Sequence, residues 1–481
     1  MKVANLPFQI NDIIEMDATR IAKEIRANNL TSVAATTAYI EHIQKVNPHI
    51  HALVEERFEL ALQEAKDKDE ERAITEDTPL YGVPISIKES FHVKGMKTTG
   101  GLVNRKDLIQ NTDADVVKLL KKAGAIILGK TNTPALCFCQ ETNNKLYGRT
   151  NNPYDVNRTA GGSSGGEGAL LSVGGAAVGL GSDIGGSIRF PSHFNGVVGF
   201  KPGKFQVSHQ GHFPPTTVPL QERMLGIGPI GKSVRDIELI YKLIAQKVPK
   251  QQSLTSYTFE FLPNDIPLPL HNVTKKMLYQ VKNMLATSFT VKDNIPPFMD
   301  ETAEIWQEIM SIDVNTIQRM ALSHDKTTTL LKEFTKEKLY QNSQTHAYLL
   351  WALIGAKLFS PSSKRIHDIT AYLKNGDEYI DAYLARRILV FPVYHSSAPL
   401  HGKVYEEIFS IKKTFKQYMP FVAYANVWGL PSLTLPVGSD ENGMPIGIQL
   451  MSRVGNEQAL FDIGKKIEKS LYRYQICTVS H

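Results

Sequence analysis

A segment rich in glycine and serine, residues 161–189, constrains this chain more than any other part of it. It reads GGSSGGEGALLSVGGAAVGLGSDIGGSIR and holds two serines, Ser163 and Ser187, each inside a run of glycines. Glycine allows positive φ angles and lets a ligand come close to the main chain. A serine in such a loop, with backbone N–H groups beside it, meets the needs of acyl-transfer chemistry, which are a nucleophile and an oxyanion hole.

Three other interpretations of this segment are weaker. A flexible Gly/Ser linker would not carry the apolar residues that interrupt the run. A phosphate-binding loop would end in Gly-Lys-Ser/Thr, and no full dinucleotide fingerprint follows. Residues 161–165 fit the G-x-S-x-G nucleophile elbow of α/β-hydrolases, but that motif needs a strand running directly into the serine. Residues 151–158, NNPYDVNR, favour turns instead, and the downstream histidines His193, His209 and His212 stand in no recognisable context.

A lysine replaces the histidine as the candidate base. The segment YGVPISIKE, residues 81–89, predicts a short buried strand with Lys88 at its end. Burial disfavours the ammonium form and lowers the pKa of a lysine, which turns the side chain into a usable base. Alone, such a lysine is more often an edge residue whose ammonium reaches solvent. Together with the serine segment it favours a catalytic role.

These motifs resemble the amidase signature family of serine hydrolases. The resemblance is carried by GVPISIKES around Lys88, GGSSGGEGALL around Ser163 and GLGSDIGGSIRFPSHFNGVVGFKP around Ser187, and by the spacings of 75 and 24 residues between them. It covers nearly the whole chain and is weakest between about residues 245 and 415. Within the family, GGSSGGEG and DIGGSIRFPS most resemble the fatty-acid-amide-hydrolase-like branch.

The resemblance implies a role for each motif residue. Ser187 would be the nucleophile and Lys88, neutral in the resting enzyme, the base. Ser163, joined to Gly162 by a cis peptide bond, would pass a proton between them. The oxyanion hole would be formed by the N–H groups of Ile184, Gly185, Gly186 and Ser187, and the loop would be supported by Ser164, Asp183 and Arg189.

Strands and helices alternate along much of the chain, which predicts an α/β fold with one central sheet covered by helices on both faces. The resemblance implies the large mixed sheet of the family. Helices are predicted at 17–47 (two, with Thr31-Ser32 as an N-cap), 55–73, 113–123, 234–245 and 456–470, and strands at 83–88, 125–128, 176–181, 196–200, 431–437 and 445–451.

We expect a single domain over residues 1–481, because no linker, repeat or low-complexity tract divides the chain. The region 246–420 is helical in pattern and is expected to form a variable cap that helps to build the substrate pocket. The other expected parts are N-terminal helices at 1–75, a catalytic core at 76–245, and a C-terminal return to the core sheet at 421–481.

Composition restricts the partners and the compartment. A net charge of +6 over 481 residues, with the 54 basic residues scattered, gives no reason to expect nucleic acid. Three cysteines are too few for a disulfide framework, which favours the reducing cytoplasm. Cys137-x-Cys139 lacks the second half of a metal site, so we expect thiols near the pocket and neither a metal nor a cofactor.

No segment of the sequence reads as a signal peptide or a membrane span. The N-terminus MKVANLPFQIND lacks a signal-peptide pattern, and no apolar stretch reaches 18 residues. The apolar run 348–357, YLLWALIGAK, predicts a core helix, while a wall of the acyl pocket and a peripheral membrane contact stay open. Assembly as a homodimer also stays open.

The sequence therefore predicts a free-standing amidase that converts a small-molecule amide to an acid and an amine or ammonia through an acyl-enzyme. The branch resemblance and the run 348–357 favour a hydrophobic acyl or aryl part, and esters remain open as side substrates. The alternative is the glutaminase subunit of a tRNA-dependent amidotransferase, which would need partner subunits. Phe190 stands against it, because those subunits tend to be polar next to the arginine, and Glu167, which follows the glycine run, also leans away from it. Intact catalytic positions disfavour a non-catalytic scaffold.

Overall fold

The computed structural model describes residues 8–248, 253–322, 329–408 and 414–479. The remaining residues, at both ends and within the expected cap region, lie outside this description, and with them the start of the N-terminal sequence considered above. The strands within the described ranges are β1 Leu53–Glu56, β2 Pro84–Lys88, β3 Ile126–Thr131, β4 Asn143–Asn144, β5 Gly148–Arg149, β6 Asn151–Asn152, β7 Asp155–Thr159, β8 Val178–Asp183, β9 Val198–Lys201, β10 Gly226–Gly231, β11 Thr258–Phe261, β12 Thr290–Asp293, β13 Arg387–Pro392, β14 Ser432–Ser439 and β15 Pro445–Met451.

Eleven of these strands form one mixed sheet, in the order β1-β3-β2-β8-β10-β9-β14-β15-β13-β11-β12. The strands β3, β2 and β8 run parallel to one another, as do β12, β11 and β13. Antiparallel pairs join these two groups through the middle of the sheet. The strands β4 to β7 form two separate hairpins outside it.

The order of β3, β2 and β8 positions the candidate site. β2 has the sequence PISIK, and every residue in it is buried. Its isoleucines suit a strand that is packed on both sides. Because parallel strands end at the same edge of a sheet, Lys88 at the end of β2 meets Ser182 and Asp183 at the end of β8.

Helices cover both faces of the sheet, as predicted. α6 packs against α7, and α9 packs against α19, and each pair contacts strands of the sheet. The α-helices of the described residues are α1 Ile10–Glu15, α2 Ala18–Arg26, α3 Ser32–Ile50, α4 Phe58–Glu71, α5 Asp115–Lys122, α6 Gly165–Ser172, α7 Arg189–Asn195, α8 Pro219–Glu222, α9 Val234–Ile244, α10 Asn272–Ala286, α11 Thr302–Met310, α12 Val314–Leu322, α13 Leu330–Tyr340, α14 Ala347–Leu358, α15 Ser363–Tyr383, α16 Lys403–Ile408, α17 Thr414–Tyr418, α18 Pro420–Val427 and α19 Glu457–Ser470; short 3₁₀ turns lie at Val103–Arg105, Ala135–Cys137 and Leu254–Ser256.

The structure confirms the predicted helices and strands, with ends that differ by a few residues. The predicted N-cap is present, because Thr31 Oγ1 accepts a hydrogen bond of 3.0 Å from the Ala34 N–H at the start of α3. Outside the region 246–420, the sequence prediction missed two strands of the central sheet, the edge strand β1 and the inner strand β10. β1 has only four residues and β10 reads GIGPIG, so neither shows the β-branched pattern on which the prediction depended.

Two expectations need correction. The region 246–420 is mostly helical, but it also adds β11, β12 and β13 to one end of the central sheet, so it is not simply a cap. Residues 151–158, expected as turns, hold the hairpin β6–β7. This hairpin lies outside the central sheet and β7 ends at Thr159, before the glycines, so it does not create a nucleophile elbow at Ser163.

The apolar run 348–357 lies within α14, where one side packs in the core, as predicted, and another side, with Trp351 and Gly355, lines a cleft. Leu349, Leu350 and Leu353 are buried in a cluster with Leu102 and Leu136. In the ranges that the structure describes, no helix combines the length and the apolar character needed to cross a bilayer. The three cysteines are all free thiols, and Cys139 and Cys477 are buried.

Candidate active site

Lys88 is fully buried at the carboxyl end of β2. Its Nζ lies 2.7 Å from Ser163 Oγ and 3.0 Å from Ser182 Oγ. Burial lowers the pKa of Lys88, while the nearby Cys137 and Asp183 act in the opposite direction. No carboxylate of the described residues comes within salt-bridge distance of Nζ, so Asp183 and Glu167 favour the ammonium form only from a greater distance. The site therefore makes the ammonium form less favourable than it is in water and places the amine in contact with a serine hydroxyl.

Ser163 stands just before α6, on a loop that packs too tightly for larger residues. The peptide bond between Gly162 and Ser163 is cis, as the family resemblance implies. A Cβ atom on Gly162 would lie 2.7 Å from both the Cys139 carbonyl oxygen and the Glu141 amide nitrogen. Glycine at position 162 is therefore required by a close approach of two backbone segments.

Ser187 lies on the loop that follows β8, and it opens on the same cleft as Ser163. The two serine segments are tied together, because the Ser164 N–H donates to the Ser187 carbonyl oxygen at 3.1 Å. Gly186, directly before Ser187, has a φ of +94° and its missing Cβ would collide with Phe190. The structure thus brings Lys88, Ser163 and Ser187 to one place, although 99 residues of chain separate the first from the last.

The backbone N–H groups of the loop after β8 are not all available to a ligand. The Gly186 N–H already donates to Asp183 Oδ1 at 2.8 Å, so this member of the expected oxyanion hole is engaged within the loop. Within the described part of the chain, no protein acceptor receives a hydrogen bond from the N–H groups of Ile184, Gly185 or Ser187. Three of the four expected donors therefore remain open.

Asp183 and Arg189 brace this loop from inside the protein. Both side chains are fully buried and form an ion pair of 2.9 Å between Arg189 Nε and Asp183 Oδ2. Burial by itself would raise the pKa of Asp183, but the Arg189 guanidinium lowers it below its usual range. Asn426 donates to Asp183 at 3.0 Å and accepts from Arg189 Nη2 at 2.5 Å. The carboxylate is thus ionised and fully hydrogen-bonded while it holds the Gly186 N–H.

Ser164, the third expected supporting residue, contacts the end of β8. Its hydroxyl lies 3.4 Å from both the N–H and the carbonyl oxygen of Ser182. Both distances are at the long end of the range for hydrogen bonds, so these contacts contribute only weakly to the alignment of the two segments. Ser164 also begins α6, where it is the residue before the first helical turn.

Two residues that the sequence analysis did not single out hold the carbonyl groups of the same loop. Trp306 Nε1 donates to the Ile184 carbonyl oxygen at 2.8 Å, and Gln140 Nε2 donates to the Gly185 carbonyl oxygen at 3.0 Å. Trp306 comes from α11, in the region of weakest resemblance, and Gln140 lies between β3 and the hairpin β4–β5. No local pattern marks either residue, because each acts through a contact with a distant segment.

The structure shows where each of the three histidines lies relative to the cleft. His212 lies on the wall of the cleft, with Nε2 3.0 Å from Ser182 Oγ. His193 is buried elsewhere, where the Gly447 N–H donates to its Nδ1 at 2.7 Å and its Nε2 donates to the Ser396 carbonyl oxygen. His209 lines a separate surface pocket. Of the three histidines, His212 alone faces the cleft of the candidate triad.

The cleft that Ser163 and Ser187 line has a neighbour, a second cleft with mostly apolar walls. Phe138, Trp306 and Met310 line both, so the two clefts share a wall. Cys137 and Cys139 are on the wall of the first cleft, as expected for thiols near the pocket. The described residues that line either cleft include no Asp, Glu, Lys or Arg. The described residues also contain no cluster of metal-ligating side chains.

The family described as Amidase matches residues 34–461 of this sequence. The chain belongs to the amidase family. It is 34% identical to fatty-acid amide hydrolase 2-A of Danio rerio, over 94% of this chain and 87% of that protein. A solved structure described as an amidase superposes with a TM-score of 0.80 at 26% identity, covering 95% of this chain and all of the other.

This membership makes the protein a hydrolase of amide C–N bonds and confirms the predicted α/β amidase fold. The amidotransferase alternative is not favoured. A glutamyl-tRNA(Gln) amidotransferase subunit of Sulfurihydrogenibium sp. is a relative at 28% identity, over 93% of this chain and 94% of that protein. The identity is lower than that to the fatty-acid amide hydrolase, although both relatives are matched along nearly their whole lengths.

Proposed function

We propose that this amidase works through an acyl-enzyme on Ser187, with Ser163 as the proton bridge and Lys88 as the base. The observation that carries the proposal is the contact of 2.7 Å between Lys88 Nζ and Ser163 Oγ. It joins a buried lysine of lowered pKa to a serine that shares a cleft with Ser187. An amine that is neutral at working pH can accept the proton that makes a serine nucleophilic.

Acylation follows from this arrangement. The hydroxyl of Ser187 attacks the amide carbonyl carbon, and its proton passes to Ser163 while the proton of Ser163 passes to Lys88. The carbonyl oxygen becomes an oxyanion. When the tetrahedral intermediate collapses, Ser163 returns a proton to the departing nitrogen and recovers one from Lys88. The amine or ammonia therefore leaves as a neutral molecule, and the acyl group stays on Ser187.

Water then repeats the sequence on the acyl-enzyme and releases the acid. In both halves we assign the stabilisation of the oxyanion to the N–H groups of Ile184, Gly185 and Ser187, since these have no acceptor among the described residues. We leave the Gly186 N–H out of this set, because Asp183 already receives it. Loss of one donor of an oxyanion hole typically costs on the order of 10² to 10³ in rate.

We propose a substrate with a hydrophobic acyl or aryl part. The two neighbouring clefts are lined by Phe138, Trp306, Met310 and Trp351, among others, with no Asp, Glu, Lys or Arg among the lining residues. Such walls stabilise apolar groups by removing them from water. They also argue against free glutamine, whose α-ammonium and α-carboxylate would need charged partners in a buried site. The name of the Danio rerio relative, a fatty-acid amide hydrolase, agrees with this substrate class.

A labelling experiment tests the nucleophile. The purified protein is treated with a fluorophosphonate probe and the adduct is located by mass spectrometry. We expect it on Ser187, with no labelling of Ser187→Ala. An adduct on Ser163, or unchanged labelling of Ser187→Ala, would contradict the assignment. Release of acid from a panel of aryl and long-chain acyl amides by the protein alone separates an independent amidase from one that needs partner subunits.

The remaining expectations concern the cellular location, the oligomeric state and membrane contact. The cytoplasmic location stays a prediction from cysteine usage, and a homodimer or a peripheral membrane contact stays open. Size-exclusion chromatography with light scattering decides the first of these two, and flotation with phospholipid vesicles decides the second.

A further inference from the structure

We propose that His212 is a positioning residue for this reaction and acts on Lys88 through Ser182. The inference rests on the proposed function, in which Lys88 is the base. Three contacts carry it: His212 Nε2 to Ser182 Oγ at 3.0 Å, Ser182 Oγ to Lys88 Nζ at 3.0 Å, and Lys88 Nζ to Ser163 Oγ at 2.7 Å. Together they form a chain of four side chains at the carboxyl ends of β2 and β8.

The tautomer of His212 follows from its other ring nitrogen. Nδ1 lies 3.2 Å from the Pro214 carbonyl oxygen. A carbonyl oxygen only accepts hydrogen bonds, so Nδ1 carries the proton and donates it. In a neutral ring, Nε2 is then the acceptor. Burial lowers the pKa of His212 to about 3, with a further contribution from Lys88, which agrees with a neutral ring.

The donor and the acceptor in each of the other hydrogen bonds among these four side chains follow from that tautomer. Since Nε2 accepts, the single hydroxyl proton of Ser182 is donated to His212. Ser182 Oγ is then left as an acceptor and takes an N–H from Lys88. A neutral lysine has two N–H groups and one lone pair, and this bond holds one N–H away from Ser163. The lone pair is thereby left for the hydroxyl proton of Ser163, as a base requires.

The position of His212 is well defined for such a role. Its ring is buried and packs edge to face on Phe91, with 5.1 Å between the ring centres. The backbone of the two residues is joined by a β-bridge, and Phe91 follows Lys88 by three positions. The segment that carries His212 is thus attached to the strand that carries Lys88.

Without His212, the hydroxyl of Ser182 loses the acceptor of its proton, and the proton can turn towards Lys88. It then competes with Ser163 for the lone pair. Ser182 also ceases to accept from Lys88, which removes a bond that favours the ammonium more than the amine. The other titratable groups that face Lys88 are Cys137, Asp183 and Glu167, and those that face His212 are His209 and His92. Loss of His212 should therefore slow the reaction and lower the pKa of Lys88.

The test is the pH profile of kcat/KM for an aryl amide. We expect His212→Phe to lower the plateau about tenfold, the effect of one buried hydrogen bond, and to move the acidic limb to lower pH. His212→Gln, whose side-chain oxygen can accept from Ser182, should recover the plateau to within about threefold. Ser182→Ala should match His212→Phe, and the double variant should be no slower than either single variant.

His209→Phe is the matched control, since it removes a neighbouring histidine that does not contact Ser182. In this variant the plateau of kcat/KM and the position of its acidic limb should stay unchanged. The proposal fails if His212→Phe leaves plateau and limb unchanged, or if its effect multiplies with that of Ser182→Ala. If His212→Phe does not fold, Ser182→Ala replaces it in the test, and a wild-type pH profile for Ser182→Ala would overturn the proposal. Lys88→Met in the same series separates the two hypotheses: an active Lys88→Met overturns the proposed function, whereas an inactive one beside a normal His212→Phe overturns this inference alone.

Discussion

Trp306 Nε1 donates a hydrogen bond of 2.8 Å to the carbonyl oxygen of Ile184, across 122 positions of the sequence. The indole also packs against Gly185, where an added Cβ would come within 2.6 Å of the ring. Trp306 belongs to the region where the family resemblance is weakest, whereas Ile184 belongs to the motif around Ser187. The region that lines both clefts therefore also holds the loop whose N–H groups we assign to the oxyanion.

We expect Trp306→Phe to lower kcat about tenfold with a smaller change in KM. Phenylalanine keeps most of the apolar contact but cannot donate to Ile184, so the loop loses one of the bonds that orient its N–H groups. Steady-state kinetics on an aryl amide measure both constants. Trp351→Phe, on the wall of the adjoining cleft, is the control and should act mainly on KM. An unchanged kcat in Trp306→Phe would show that the loop holds its geometry without the indole.

Replacing Lys88 separates its catalytic role from its cost to stability. Lys88→Met should reduce turnover by several orders of magnitude, because base and nucleophile act as a unit. The same variant should melt at a higher temperature than wild type at pH 7. In the wild type the unfolded state protonates Lys88 more readily than the folded state, so folding stability falls as pH drops below the usual lysine pKa. The melting-temperature gap between the two proteins should narrow as pH rises towards 10.

For the wild-type enzyme, activity should fall as pH decreases through the lowered pKa of Lys88, since only the neutral amine is a base. A pH profile of kcat/KM measures this limb. A limb that is unchanged in Lys88→Met, with substantial activity remaining, would assign it to another group.

Asp183→Asn should destabilise the protein by about 3–5 kcal/mol, because it leaves the buried Arg189 guanidinium without its counter-charge. The matched control is Asp155→Asn, which breaks an ion pair with Arg158 at the surface and should cost at most about 1 kcal/mol. Urea denaturation measures both. The double variant Asp183→Asn/Arg189→Met should recover part of the stability without recovering activity. Equal costs for the two single variants would contradict the interpretation.

Gly355 on α14 offers a test of whether the second, apolar cleft binds the acyl part of the substrate. It lines that cleft, and an added Cβ would meet no atom within 4 Å. Wild type should show kcat/KM rising about fourfold per methylene along a series of acyl amides and then levelling, at about 0.8 kcal/mol per buried CH₂. Gly355→Leu should make the rise stop at a shorter chain, whereas Gly355→Ala should change little. A preference for short polar amides in wild type would contradict a hydrophobic substrate.

Much of the candidate site could be predicted because its signals are local. Lys88 ends an apolar strand, and Ser163 and Ser187 stand among glycines that the tight packing of their loops requires. The same holds for most helices and strands, whose hydrophobic periodicity and capping residues lie within a few positions of each other. β11, β12 and β13 escaped prediction because two of them have only four residues and sit in a largely helical region, where short apolar runs fit either structure.

The sequence by itself therefore determined the fold class, the family resemblance and the three residues of the proposed triad. Only the tertiary structure decided which N–H groups of the loop remain open, because Asp183 takes that of Gly186. It also decided that His212, and not His193 or His209, lies beside Ser182, and that Trp306 reaches Ile184. The physical reason is that these contacts join segments far apart in the chain. Their geometry depends on how the sheet and its helices pack, and no local pattern of residues records it.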